Sequence, residues 1–248
     1  IESVLNQTFD VFEIVFIDNG SSDLSGSIAK SYGPKVNYYR NNITTSLGKA
    51  RDQGILLSKG DLIAFIDADD KWKLNKIEKQ IDLFKNGASF VFSNTEMSGG
   101  QGKDFTLFDY SSPNFSDVFN SLLEKDFVTT SSVMFKKETY LKSNQKYNTN
   151  LTIECDRDLF LRLVGESEVE YTEDVLVTRY LHNSSTSTRH NASSIKELLY
   201  LEDSINKYCK NRVIYNESSL ISFNSRLNIL KGRHYWQLGD LKKARISF

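Results

Sequence analysis

Two short apolar runs, Phe12–Ile17 and Leu62–Ile66, each break off at a group of acids, Asp18-Asn19-Gly20-Ser21-Ser22-Asp23 and Asp67-Ala68-Asp69-Asp70. Runs of this length, rich in branched and aromatic residues and closed by turn-forming residues, read as strands buried on both faces. Behind the first, Leu24, Ile28 and Ser31-Tyr32 recur at helical spacing with Ser21 or Ser22 as the cap, and Val36 to Arg40 supplies another strand. The unit then repeats. Leu47, Ala50, Gly54 and Leu57 share a helix face before the Leu62–Ile66 strand, and Leu74, Ile77, Ile81 and Phe84 form an amphipathic helix before a strand over Ser89 to Ser93. Strands alternating with helices predict an α/β fold with a mainly parallel sheet, whose ligand crevice lies at the carboxyl ends of the strands. Both acidic turns should open onto that crevice.

After Glu96 the pattern weakens into a Gly-, Ser- and Asp-rich stretch holding one short helix around Phe115 to Leu123. Ser131 to Lys136 is expected to be a strand, Asp156 to Val164 a helix, and Val169 to Tyr180 two short strands. Beyond Ser187 the chain turns helical, with Leu220, Phe223, Leu227, Leu230 and His234 on one stripe and Leu241, Ala244 and Phe248 beginning another. The sequence opens at Ile1 without Met, and Ile1 to Thr8 reads as the last turns of a helix that begins upstream.

Composition narrows the function. With 31 basic and 32 acidic side chains the net charge is -1, so no bulk field grips a nucleic acid. Cys155 and Cys209 make neither a disulfide framework nor a zinc quartet, which fits a reduced, cytoplasmic setting. No apolar run approaches the roughly 20 residues of a membrane-spanning helix.

Three acids within four positions at a strand end repel one another unless a cation or basic group compensates. Mg or Mn, which prefers hard carboxylate oxygens and keeps positions open for phosphate, is one answer; a helix cap by Asp69 or Asp70 is the other. Asp18 and Asp23 either meet a nucleotide or close an Asx turn. Arg51, on the helix between the two acidic turns, either reaches a diphosphate or forms a surface ion pair. Trp72 is either a wall facing a sugar or an aromatic anchor for the following helix.

Four segments taken in order, Ser3-Val4-Leu5-Asn6-Gln7-Thr8, Asp18 to Asp23, Ala50-Arg51-Asp52-Gln53-Gly54 and Phe65-Ile66-Asp67-Ala68-Asp69-Asp70-Lys71-Trp72, resemble the family 2 glycosyltransferases of the GT-A fold. The resemblance runs from Ile1 to about Ser187 and is densest up to Trp72. It implies a GT-A, Rossmann-like domain over residues 1–190 followed by a helical accessory region over 191–248. The implied reaction is inverting transfer of a sugar from a nucleotide-sugar donor, with Mg or Mn, to a glycan or lipid-linked acceptor in polysaccharide or cell-envelope synthesis. The implied setting is cytoplasmic, extending to peripheral association with the inner face of a membrane.

Carried over residue by residue, the resemblance gives Asp18 the donor's base, Asp67 the ribose and Asp69 the metal. Glu154-Cys155-Asp156 resembles the family's Glu-Asp motif and makes Asp156 the general base, with a helix cap as its alternative role and Asp158 as a competitor for either. His182, followed by Ser185 and Ser187, resembles a loop that reaches the metal or the diphosphate; a purely structural histidine is the alternative. The sequence departs from the family at Asn19, at Cys155 and at Tyr180, where an Arg is frequent and Arg179 stands adjacent. The family's first strand and its Tyr-Asn turn are not in this sequence, and residues 1–248 alone are therefore expected to aggregate. A non-catalytic nucleotide-sugar-binding module and a nucleotidyltransferase are the competing functions.

Overall fold

A computed structural model describes residues 1–100, 102–142, 146–182, 192–212 and 215–247. The first half runs α1 (Glu2–Leu5), β1 (Ile14–Asp18), α2 (Ser25–Ser31), β2 (Val36–Arg40), α3 (Leu47–Leu57), β3 (Leu62–Ala64), β4 (Asp70–Trp72), α4 (Lys76–Phe84) and β5 (Phe90–Ser98). The chain continues through β6 (Phe105–Thr106), α5 (Leu107–Ser111), α6 (Val118–Glu124), β7 (Met134–Lys136), α7 (Lys137–Lys142), α8 (Cys155–Val164) and β8 (Val169–Tyr180). Three helices follow, α9 (Ala192–Lys210), α10 (Glu217–Gln237) and α11 (Leu241–Ser247).

The expected alternation is present, but the sheet is mixed rather than mainly parallel. β1 and β2 pair in parallel as a two-stranded sheet, the product of the crossover through α2. The second sheet has the order β3-β7-β5-β8-β4 with β6 beside β5, and within it only β5 and β8 are parallel. Two local causes produce the antiparallel pairs. The chain reverses at the second acidic turn, where the Asp70 amide donates to the Asp67 carbonyl at 3.1 Å, and the next three residues pair with the end of β8. After β5 it folds back through β6, so β7 enters the sheet from the opposite end. Three-residue strands are too short for alternation to mark them.

The segment expected as two short strands is one long strand, β8, in which Glu173 and Asp174 bulge where Thr172 pairs with Ser93 and Val175 with Asn94. Its polar Thr-Glu-Asp reads as a turn in sequence. The caps also differ from expectation: Asp23, not Ser21 or Ser22, accepts the Ser25 amide, and the amide of Ile77 in α4 goes to Gln7 rather than to Asp69 or Asp70.

β5 is buried on both faces. Phe90 and Phe92 join a core with Phe135, Phe160, Leu159 and the helices behind it, while Val91 packs with Trp72, Ile77 and Met134 on the other side. Leu198, Leu201 and Ile205 of α9 and Phe223 and Leu227 of α10 belong to the first of these cores, so apolar packing is continuous across residue 190.

Lys76 lies under the second acidic turn, fully buried. Its ammonium sits 4.3 Å from the centre of the Trp72 ring and donates to Gln80 Oε1 at 2.5 Å, and no carboxylate pairs with it among the described residues. Burial pushes the amine down to about 7 from 10.5. Between those values the unfolded chain holds a proton that the folded chain has shed. Stability therefore rises with pH across that window, and the full cost of the buried amine is felt at and below pH 7. Lys76→Met should show its largest gain in Tm over the parent protein near pH 6 and a smaller one near pH 9, as read by thermal melts across that range. A difference that does not vary with pH would mean that the amine does not titrate in this window.

Candidate active site

β3 and the two residues after it deliver Asp67 to the carboxyl end of the sheet, where the Asp67 amide donates to Ser131 Oγ at 3.0 Å. Arg51 reaches the same place from the middle of α3. Its side chain is 13% exposed, and its guanidinium forks: Nη2 donates to Asp67 Oδ1 at 2.6 Å, and Nη1 donates to Asp156 Oδ2. Burial alone would lower the affinity of this guanidinium for its proton; the two carboxylates outweigh burial and hold it well above the usual arginine range.

Asp156 stands in the first turn of α8, but its carboxylate does not cap the helix. Oδ2 takes the Arg51 bond and a 2.7 Å bond from the Thr130 hydroxyl, and Oδ1 accepts from the Tyr147 hydroxyl at 2.7 Å. Burial, with the Asp156 charge beside it, raises the Tyr147 phenol well above its ordinary value and raises the Cys155 thiol as well. Asp158, the competing acid, is 1% exposed and held by Arg162 Nη2 at 2.5 Å and Ser204 Oγ at 2.6 Å, so it braces α8 against α9.

The rest of the second acidic turn faces the end of β8. Ser131 Oγ donates to Asp70 Oδ2 at 2.5 Å. Burial pushes Asp70 up to about 6 and the neighbouring Asp67 and Asp69 add to this, against Ser131 and Arg179. Pairing of β4 with β8 sets Arg179 across from Asp70, and two residues beyond Tyr180 the ring of His182 meets Asp69, Nε2 to Oδ2 at 2.9 Å, with both side chains exposed. Ser185 and Ser187 lie outside the described residues. A cleft of about 320 Å³ opens among Arg51, Asp67, Asp70, Asp156, Arg157 and Arg179.

The structure thus brings Arg51, Asp67 and Asp156 into direct contact, while Asp69, two positions after Asp67, meets His182. Asp18 is not among them. It is 1% exposed, Oδ1 accepts the Ser21 amide at 2.7 Å, and Oδ2 accepts from the Tyr38 hydroxyl at 2.5 Å and Arg40 Nη1 at 3.0 Å. Burial works to raise this carboxyl, yet those bonds and the Arg40 charge hold it near 2. Gly26 permits the arrangement, since a Cβ there would stand 2.6 Å from the Tyr38 hydroxyl oxygen. Trp72 is an anchor: it is 4% exposed and its indole N–H donates to the Ser131 carbonyl at 2.9 Å. Thr130, Ser131 and Tyr147 belong to no sequence motif; the run Thr129-Thr130-Ser131-Ser132 ahead of a strand is the available signal for the first two.

The family model described as Glycosyl transferase family 2 matches residues 1–142, more than half of the chain. The chain belongs to that family. Among curated relatives of this family 2 glycosyltransferase, an uncharacterised glycosyltransferase of Rickettsia typhi is 28% identical over 199 residues, covering 75% of this chain and 60% of its own. TuaG of Bacillus subtilis, named for teichuronic acid biosynthesis, is 23% identical over 210 residues, covering 82% and 81%. WfgD of Escherichia coli, a UDP-Glc:alpha-D-GlcNAc-diphosphoundecaprenol beta-1,3-glucosyltransferase, is 33% identical over 99 residues, 39% of each chain. The chain spans 60% of the length of the R. typhi relative and 32% of that of a Rickettsia felis relative. The crystal structure of S. aureus TarS 1-349 in complex with UDP shares the fold, with a TM-score of 0.64 at 12% identity, covering 99% of this chain and 84% of that one.

In this family 2 member the fork should be sensitive to geometry as well as charge. Arg51→Lys keeps a cation but can serve only one carboxylate well, so urea denaturation should show a loss on the order of 1 to 3 kcal/mol. Unchanged stability would mean that the second bond contributes nothing.

Proposed function

We propose that this chain transfers a sugar from a nucleotide-diphosphate sugar to an acceptor hydroxyl with inversion, Asp156 acting as the general base. The observation that carries the reading is the Arg51 fork, which holds a strand-end acid and a helix-start acid on one guanidinium at the mouth of the cleft. A hydroxyl is a poor nucleophile, and a carboxylate on the side opposite the leaving group removes its proton as it attacks. Among the described residues Asp156 Oδ1 carries one hydrogen bond, so a second acceptor position is left for that hydroxyl. Displacement from the side opposite the diphosphate inverts the sugar carbon.

In this reading the Asp69 carboxylate supplies a hard oxygen for Mg or Mn and His182, 2.9 Å from it, a nitrogen donor; both side chains are exposed, among the described residues no group of three or more His, Cys, Asp or Glu is placed to hold a metal, and the remaining positions would fall to water and substrate phosphate. When bound, the cation supplies charge for the departing diphosphate. Asp67 takes the ribose side of the donor, and Arg51 fixes Asp67 and Asp156 relative to each other. In this reading Asp18 supports the base-binding side through the turn it closes with Ser21. Residues 1–190 form the donor-binding part, and 191–248 the helical part that packs onto it.

The donor class is supported by family membership and by the UDP complex of TarS, and a lipid-linked or glycan acceptor by the name of WfgD. The role proposed on this support is cell-envelope glycan synthesis, and the setting proposed with it is cytoplasmic, with peripheral association with the inner face of a membrane. Among the described residues no helix is long and apolar enough to cross one.

A panel of nucleotide sugars titrated by calorimetry, with Mn²⁺ and then with chelator, tests the donor and the metal together. Binding should need the cation, and Asp69→Asn should weaken it. Asp156→Asn should keep donor binding and lose turnover by roughly 100-fold or more. Equal affinity in chelator would remove the metal role, and near-normal turnover of Asp156→Asn would remove the base.

A further inference from the structure

The segment that leads into Asp156 is held by a residue from the far end of the chain. Glu197, in the second turn of α9 and 8% exposed, places a single oxygen, Oε2, at 3.0 Å from the amide nitrogen of Thr152, 2.7 Å from that of Ile153 and 3.1 Å from that of Glu154. Among the described residues it forms no ion pair, so these three amides are what compensate the burial of its carboxylate. They precede α8, whose own capping residue, Glu154, makes no side-chain cap bond. The other end of the segment is tied to α3, where the Gly48 amide donates to the Leu151 carbonyl at 3.0 Å. Residues 151–154 are therefore clamped between α9 and the helix that carries Arg51. Asp156 follows two residues later, its oxygens committed in three directions to Arg51, Thr130 and Tyr147. Thr152, Ile153 and Glu154 also line the cleft.

We propose that Glu197 is a positioning residue for Asp156: by fixing three consecutive amides it sets the backbone from which the carboxylate projects, and it makes the C-terminal helices part of the transfer machinery. The inference rests on the reading of Asp156 as the base. What matters at position 197 is an oxygen at the right reach. Glu197→Gln keeps a carbonyl oxygen at that reach and loses the charge; Glu197→Asp keeps the charge and draws the oxygen back by about 1.5 Å, one C–C bond.

Both variants are compared with the parent protein by hydrogen exchange at the 152–156 amides, by affinity for UDP with Mn²⁺, and by turnover of the nucleotide sugar that the panel selects. Glu197→Asp should exchange faster at 152–154 and lose turnover by about tenfold or more, with UDP affinity and donor KM within about twofold of the parent. Glu197→Gln should stay within about threefold of the parent throughout. Parent-like exchange and turnover in Glu197→Asp would overturn the proposal. So would a loss of more than about tenfold in Glu197→Gln, a test that stands even if Glu197→Asp does not fold. A fall in UDP affinity equal to the fall in turnover would reduce Glu197 to a general structural role. Asp156→Asn, run alongside, separates the two readings: if it turns over normally the base assignment fails, while the exchange pattern still decides whether Glu197 holds the segment.

Discussion

Asp67 and Asp156 are 89 positions apart in the chain, yet both lean on one guanidinium, and the arrangement around the cleft follows from that contact. Two carboxylates in a partly dry cleft repel each other and forfeit hydration; a planar cation with donors on both sides is the side chain that satisfies both at once. α3 has to lie where Arg51 can reach the end of β3 and the start of α8 together. The hydroxyls of Thr130 and Ser131, on the turn that leads into β7, then donate to Asp156 Oδ2 and Asp70 Oδ2.

The outer parts of the molecule serve the same geometry. Trp72 bonds the Ser131 carbonyl and Gln80 the neighbouring Ser132 carbonyl, so the buried Lys76 cluster props the hydroxyl turn from beneath. Behind α8, Asp158 with Arg162 and Ser204 fixes the helix against α9, and Glu197 holds its entry. Helices α9 and α10 share the apolar core that contains Phe90 and Phe160, which couples their packing to the position of the acid at the start of α8.

Much of this was legible from local pattern. Asp67 and Arg51 could be brought together because each belongs to a strand end or helix whose apolar residues are spaced clearly. The mixed sheet was not legible: β4 is Asp-Lys-Trp, too short to alternate, and the direction of β7 depends on how the chain returns after β6. The Glu173-Asp174 bulge mimicked a turn. Tyr147 and Glu197 lacked any signal because their partners are Asp156 and the amides before it, contacts set by how the chain packs around α8. Asp18 is legible as a motif position but not in its partners: Tyr38, Arg40 and Ser21 meet its carboxylate, contacts set by the pairing of β1 with β2.

If the Arg51 bridge organises the site, Arg51 and Asp156 must be energetically coupled. A double-mutant cycle on folding stability, with Arg51→Met, Asp156→Asn and the pair measured by urea denaturation at neutral pH, isolates that coupling. The expected interaction energy is roughly 1 to 3 kcal/mol, with loss of Arg51 costing much less once Asp156 is neutral. Additivity to within about 0.5 kcal/mol would contradict the account, because each side chain would then be held independently of the other.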